Sequence, residues 1–231
     1  MHKFEDTGFE HSHNHTDFSI LDGFQKTSSC AERMKKIGSK FLIITDHGSM
    51  GAVPSQIKAC EEHGLHPIFK IEFYYNPWEP GIRDPEERKK YFASLDAEER
   101  KKINKNFHLI ALAYNSVGYS NLVRLSSWSY VYGFGGVPRR ARINKEQLLK
   151  HTEGLIFTSC CYASEIGYTF DRYGEDAGFD KIAEYIGMFG ENFYLEIMML
   201  DFVKQKDYDI FILKAHEKFR CKILMTQDCH F

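Results

Sequence analysis

The stretch HSHNHTDFSILDG, residues 11–23, sets histidines at alternate positions 11, 13 and 15 and follows them with Asp22. Side chains of an extended segment alternate between its two sides, so His13 and His15 fall together and can share one divalent ion. Asp228 and His230 repeat the same spacing near the other end, in QDCH. One HxH pair is a weak signal. Two such pairs, with Asp46 and His47 in TDHG between them, are a stronger one. Glu72 in IEFYY, His108 in FHLIALA, and Cys160 and Cys161 at the end of GLIFTSCC complete the set of candidate ligands. Imidazole, thiolate and carboxylate donors suit zinc, manganese or iron, with magnesium the hard-ligand alternative. Clustered divalent ions bind phosphate esters, produce hydroxide near neutral pH and stabilise a leaving oxygen, which makes phosphate-ester hydrolysis the chemistry to look for.

Short apolar or β-branched runs at 41–45, 67–75, 107–113, 154–159, 192–198 and 221–226 read as strands, and helical patterns lie between them. This alternation predicts an α/β fold with a parallel sheet and crossover helices. Residues 28–38 read as a helix with a serine cap and Gly38 at its end; 53–64 closes on Gly64, and Asn144 with Gln147 has capping-box spacing. Most candidate ligands sit at or just beyond the C-terminal ends of strands, which is where parallel α/β proteins carry their active face. His108 is the exception, near a strand start. Residues 76–106 are charge-dense and hold three of the six prolines. They read as an excursion from the loop end, with room for a helix in its second half, and as a solvated insertion in preference to a substrate-facing lid.

The 231 residues form one expected domain, 1–231, carrying that excursion. With 43% hydrophobic and 27% charged residues the composition is globular. A net charge of −2 lacks the basic surplus of a non-specific DNA binder, so nucleic-acid contact is expected to be local or assisted by another module. No apolar run is long enough for a membrane span and the first residues lack a signal-peptide layout, so a cytoplasmic protein is expected. Six scattered cysteines read as thiols rather than a disulfide framework.

Taken together, HSHNHTDFSILDG, FLIITDHGSMGAV, IEFYYN, FHLIALAYNSVGYSNLVRLSS, EGLIFTSCCYASEI and LMTQDCHF resemble the PHP (polymerase and histidinol phosphatase) domain, in the form found at the N-terminus of bacterial replicative DNA polymerase III alpha subunits. The likeness spans nearly the whole chain, in order. It implies a distorted (β/α)7 barrel whose strand ends hold up to three divalent ions. It also implies the ligands His13, His15, Asp22, His47, Glu72, His108, Cys161, Asp228 and His230, all nine of them competent. The implied grouping puts His13, His15 and Asp228 on one ion, His108 and Cys161 on a second, and Asp22, His47 and His230 on a third, with Glu72 bridging. Glu72, Asp228 and His13 are the implied catalytic residues.

Other residues receive plainer readings. His11 matches no ligand position, and Asp46 is expected to orient a ligand from behind. Cys161 is preferred to Cys160 because adjacent residues usually point apart, and Cys30, Cys60, Cys221 and Cys229 read as structural thiols. His2, His63, His66, His151 and His216 read as surface residues. Arg139, Arg140 and Arg142 form a basic loop that could grip a phosphate, or one that stays solvated until DNA or a polymerase orders it. Tyr74 and Phe231 are the aromatics placed to stack a terminal base.

With an intact ligand set, the resemblance implies a metal-dependent phosphoesterase acting as a 3′–5′ exonuclease, a proofreading part of a DNA-directed DNA polymerase. Its partners would be a DNA 3′ end or another phosphate ester and the remaining polymerase domains, with no membrane. The alternatives are a catalytically silent, metal-stabilised module bracing the polymerase, and a small-molecule phosphatase of the histidinol-phosphate type. The chain stops one residue after His230, so an excised domain, a split-gene product and a free-standing relative all stand open, and the last ligand is expected on a fraying end.

Overall fold

The structure, a computed structural model, describes residues 9–20 and 22–230; Phe231 and His2, given roles above, lie outside them. In chain order the elements are α1 (Thr27–Lys36), β1 (Phe41–Ile44), α2 (Val53–His63), β2 (His66–Tyr75), α3 (Pro85–Ser94), α4 (Ala97–Ile103), β3 (Phe107–Ala113), α5 (Ser116–Val131) and β4 (Phe134–Gly135). They continue with β5 (Arg140–Ile143), α6 (Lys145–Lys150), β6 (Leu155–Thr158), α7 (Glu165–Tyr173), α8 (Glu175–Phe189), β7 (Phe193–Met198), α9 (Val203–Phe219) and β8 (Ile223–Thr226).

Seven extended segments close a ring, the distorted (β/α)7 barrel. β1 pairs with β2, β2 with β3, β3 with β6, β6 with β7, and β7 with β8. Residues 13–15 fill the remaining gap. The His15 amide donates to the Cys229 carbonyl (2.8 Å) and the Cys229 amide to the His13 carbonyl (2.9 Å), while the Thr45 amide donates to the Asn14 carbonyl (2.8 Å). The HxH segment is thus a stave between β1 and the end of β8. Its intervening residue, Asn14, is turned the other way and donates to the His11 and Ile43 carbonyls. Residues 228–230 do not hang free as a fraying end: besides the Cys229 ladder, the Phe24 amide donates to the His230 carbonyl.

The sheet is mixed rather than parallel, because β3 runs antiparallel to both β2 and β6. The excursion at 76–106 leaves β2 and re-enters β3 at the same end of the barrel, so β3 has to run backwards. His108, near the start of β3, lies directly opposite Tyr74 near the end of β2. Its odd position in the sequence therefore becomes an ordinary position on the active face.

Alternation sorts the strand side chains into two layers. Ile71, Phe73 and Tyr75 of β2, Phe107, Leu109 and Ala111 of β3, Phe157 of β6 and Leu195 of β7 face outward into a core formed with α5 to α9. A second cluster packs Cys30, Met34, Ala59 and Cys60 of α1 and α2 on Leu42 and Ile44 of β1. The inward positions instead carry Lys70, Glu72, Thr158, Glu196 and Thr226, all buried.

Three local expectations need adjustment. α1 begins one residue before Ser28, after Lys26, and has no side-chain cap. Asn144 caps α6 through the Gln147 amide, while its own amide donates to the Glu79 carbonyl. The excursion holds two helices rather than one. α3 buries nothing, yet Glu79 ahead of it is buried and pinned by Arg88 and Arg142.

Candidate metal centre

Glu72 is the hub of the barrel mouth. Its carboxylate is buried and lies 2.7 Å from His108 Nδ1, 2.9 Å from His47 Nδ1, 3.2 Å from His15 Nε2, 3.5 Å from His13 Nε2 and 3.0 Å from Cys160 Sγ. Burial pushes the Glu72 carboxyl up, but the nearby His108 and His47 charges, with the hydrogen bond from His108, outweigh it and hold it well below the carboxylate range.

Asp228 forms a second focus, its Oδ1 3.3 Å from His13 Nε2 and 3.2 Å from His15 Nε2. Asp22 forms a third at the rim, 2.9 Å from His47 Nε2 and 3.4 Å from His230 Nε2. Gly23 lets Asp22 sit there, because a Cβ on it would lie 2.0 Å from the Thr16 carbonyl oxygen.

The donor atoms converge in three groups. These are His13, His15 and Asp228; Glu72, His108, Cys160 and Cys161; and His15, His47 and His230. The structure thus brings all nine sequence-predicted ligands to one end of the barrel, with Asp22 bonded to the third group from its rim. It also adds Cys160. Cys160 has φ of 57°, in the left-handed region, so the usual divergence of adjacent side chains fails and the two Sγ atoms come within 4.0 Å. The two thiols differ. The hydrogen bond from Cys160 and the neighbouring His108, working against burial, hold Cys161 down to about 6, whereas burial, with the Cys161 charge beside it, pushes Cys160 well above the thiol range.

The cluster suits cations. His13 Nε2, His15 Nε2, His47 Nδ1, Glu72 Oε2 and Asp228 Oδ1 are buried without a hydrogen-bond partner, although they crowd within a few ångströms of one another. Unpaired buried donors of this kind are costly unless an ion uses them. The donor set of imidazole, thiolate and carboxylate fits zinc, manganese or iron.

A supporting layer fixes the imidazoles. His13 Nδ1 pairs with Glu196 Oε1 at 2.9 Å, and Glu196 also accepts from Thr226 (2.7 Å) and from Thr158. His15 Nδ1 meets Ser19 Oγ at 2.9 Å, and Ser19 donates to Asp46. The Asp46 carboxylate therefore reaches His15 through Ser19, while its other bonds hold Thr16, and the Asp46 carbonyl accepts from the Glu72 amide. Sequence reading missed Glu196 and the buried Lys70, whose Nζ donates to the Ser12 carbonyl (2.7 Å). The available signal was a charged residue inside each apolar strand run. Glu196→Gln is expected to lower metal affinity about 10- to 100-fold, the usual cost of losing such an orienting partner, with the fold intact by circular dichroism. Metal titration of the variant checks this, and an unchanged affinity would remove Glu196 from the site.

The expected basic loop is instead the antiparallel pair β4 and β5, with Arg140 and Arg142 on β5 and Arg139 just before it, and its arginines divide. Arg142 is fully buried and ion-paired with Glu79, so it is a strut and takes no part in phosphate binding, which corrects the expectation for it. Arg139 is exposed and Arg140 partly so, with guanidinium groups over the Phe134 and Tyr74 rings. His11 lies outside all three donor groups.

The PHP domain family profile matches residues 11–199. The chain belongs to the PHP family. This PHP domain is 34% identical over 238 residues to the DNA polymerase III subunit alpha of Helicobacter pylori, covering 98% of the chain and 18% of that relative. The corresponding subunit of Campylobacter jejuni is 32% identical over 96% of the chain and 18% of the relative, and that of Thermus aquaticus 30% identical over 96% and 17%. The PHP domain thus spans less than a fifth of the length of these relatives. Among solved structures, a protein described as a metal-dependent phosphoesterase from Bifidobacterium adolescentis superposes with a TM-score of 0.53 at 12% identity, covering 96% of this chain and 87% of the other. An amidohydrolase from Chromobacterium violaceum gives 0.55 at 9% identity, covering 95% and 87%. Both share the fold. No helix among the described residues is long and apolar enough to cross a membrane.

Proposed function

We propose that this PHP domain is a metal-dependent phosphoesterase that removes nucleotides from DNA 3′ ends, working beside the other domains of a polymerase III alpha subunit. The observation that carries the reading is the convergence of three donor groups on buried, unpartnered His, Glu and Asp atoms. The relatives named as polymerase alpha subunits make a DNA end the substrate of choice.

His13, His15 and Asp228 would hold one ion; Glu72, His108 and Cys161, with Cys160 beside them, a second; and His47, His230 and Asp22 a third. Bound there, divalent ions supply Lewis acidity for a phosphate ester and for a water that must lose its proton near neutral pH. The chain's own groups do the positioning. Glu196 fixes the His13 ring, and Ser19 with Asp46 fixes His15. Glu72 is too buried to touch substrate and stands among four imidazoles, those of His13, His15, His47 and His108. Asp228 keeps part of its side chain exposed and stands where a proton from an incoming water can be accepted.

Digestion of 3′-labelled single-stranded DNA with manganese or zinc tests the reading against His13→Ala and Asp228→Ala, with bound metal counted by elemental analysis. The parent is expected to give a ladder of shortened products, and each variant to lose roughly 100-fold or more of that rate. Stoichiometric metal in the parent with no cleavage of DNA or of a simple phosphate diester would favour the bracing module instead.

A further inference from the structure

A groove of about 460 Å³ opens beside the metal centre, within the size range of small-ligand sites. Its lining includes Phe18, Tyr74, Tyr130, Phe134, Arg139 and Arg140, together with His47 and the carboxylate Asp17. His47 belongs to the third donor group, so the groove is continuous with the centre.

Its chemistry is two-fold. Phe134 and Tyr130 are about half exposed. Arg139 and Arg140 make no ion pair among the described residues; Arg139 lies over the Phe134 ring, while Arg140 lies over the Tyr74 ring, interacts with the Tyr74 hydroxyl and donates to the Arg139 carbonyl. An exposed ring offers a stacking face to any base, and an unpaired guanidinium offers a fork to a backbone phosphate. The Tyr74 ring is already engaged by His47 (5.5 Å between centroids, 21° between planes) and by Arg140. Tyr74 therefore holds its neighbours in place, and base stacking falls to Phe134.

We infer that this groove is the nucleotide subsite for single-stranded DNA, with a base near the 3′ end stacked on Phe134 and the adjoining phosphate held by Arg139 and Arg140. The choice of ligand rests on the phosphodiester reading above. It also resolves the near-neutral charge of the chain, since two unpaired arginines at one place provide local attraction without a basic surface. The loop from β4 to β5 is then a specificity element, and Asp17, Phe18 and Ile20 of the HSHNHTDFSI stretch also line the groove.

The test measures binding apart from cleavage. Fluorescence anisotropy of a 5′-fluorescein-labelled oligodeoxythymidylate is followed on chelated, metal-free protein, for the parent, Phe134→Ala, Phe134→Tyr, Arg139→Glu and the remote control Arg172→Gln. Phe134→Ala is expected to weaken binding about 5- to 100-fold, as loss of one stacking platform does, with Phe134→Tyr restoring it. Arg139→Glu is expected to weaken binding at least about tenfold in low salt, less so in high salt, and Arg172→Gln to match the parent. That pattern supports the subsite even if the metal-loaded parent cleaves no DNA. Parent-like binding by both Phe134→Ala and Arg139→Glu, or an equal loss in Arg172→Gln, overturns it even if the parent is an exonuclease.

Discussion

Glu72→Gln is expected to strip the centre of metal and abolish hydrolysis while leaving the barrel folded. The substitution keeps side-chain size but removes the one negative charge that four imidazoles and Cys160 share within 3.5 Å. An amide nitrogen placed among those donors adds hydrogens where lone pairs are needed. Losing an orienting partner alone costs about 10- to 100-fold in affinity, so loss of the shared hub is expected to cost roughly 100-fold or more. The effect should not be confined to one donor group, because Glu72 contacts members of all three. Elemental analysis after equilibrium dialysis reads the result directly, and near-ultraviolet and far-ultraviolet circular dichroism report the fold. A variant that retains the parent's full metal content would mean that the cluster does not centre on Glu72, and the proposed assignment would have to be abandoned.

Chelation is the second large effect. Metal-free protein leaves five buried donor atoms without partners, and each unmet group of this kind costs about 1–3 kcal/mol. An ion that binds only the folded state at about 1,000 times its Kd contributes ~4 kcal/mol. With about 2–4 °C of midpoint per kcal/mol for a domain of this size, the thermal midpoint should fall by roughly 8–16 °C in chelator. Zinc or manganese should restore it, and magnesium should do so less well, because thiolate and imidazole donors suit it poorly. Scanning calorimetry with and without chelator, followed by metal add-back, gives the answer. Identical midpoints in all conditions would show that the mouth of the barrel holds no stabilising ion.

Much of this centre was legible in the sequence because its ligands come in local pairs. His13 with His15 follows from strand alternation, which needs only neighbouring residues; Asp228 and His230 were legible by residue type and spacing, but the left-handed backbone at Asp228 breaks the alternation and the two fall in different donor groups. Strand positions were equally readable, since apolar runs bounded by turn residues report their own burial. The reading faltered where a local rule met a non-local constraint. β3 runs backwards because the excursion at 76–106 returns to the end of the barrel it left, and no local pattern in FHLIALA announces that direction. Cys160 joins Cys161 because its backbone turns left-handed at the strand end. Arg142 resembled its exposed neighbours in sequence, but Glu79, sixty-three residues earlier, draws it into the interior.

The sequence by itself determined which side chains could serve a metal, the family the chain resembles, and most of the strands with the helices between them, because each is written in residue type and short-range period. Only the tertiary structure decided that Glu72 is the hub, that Glu196 and Ser19 fix the histidines from behind, and that Phe134 and Arg139 stand beside the centre. Those facts arise from closing the ring. Closure turns alternate residues of separate strands toward one interior, where burial without water forces each polar group to find a partner drawn from far along the chain.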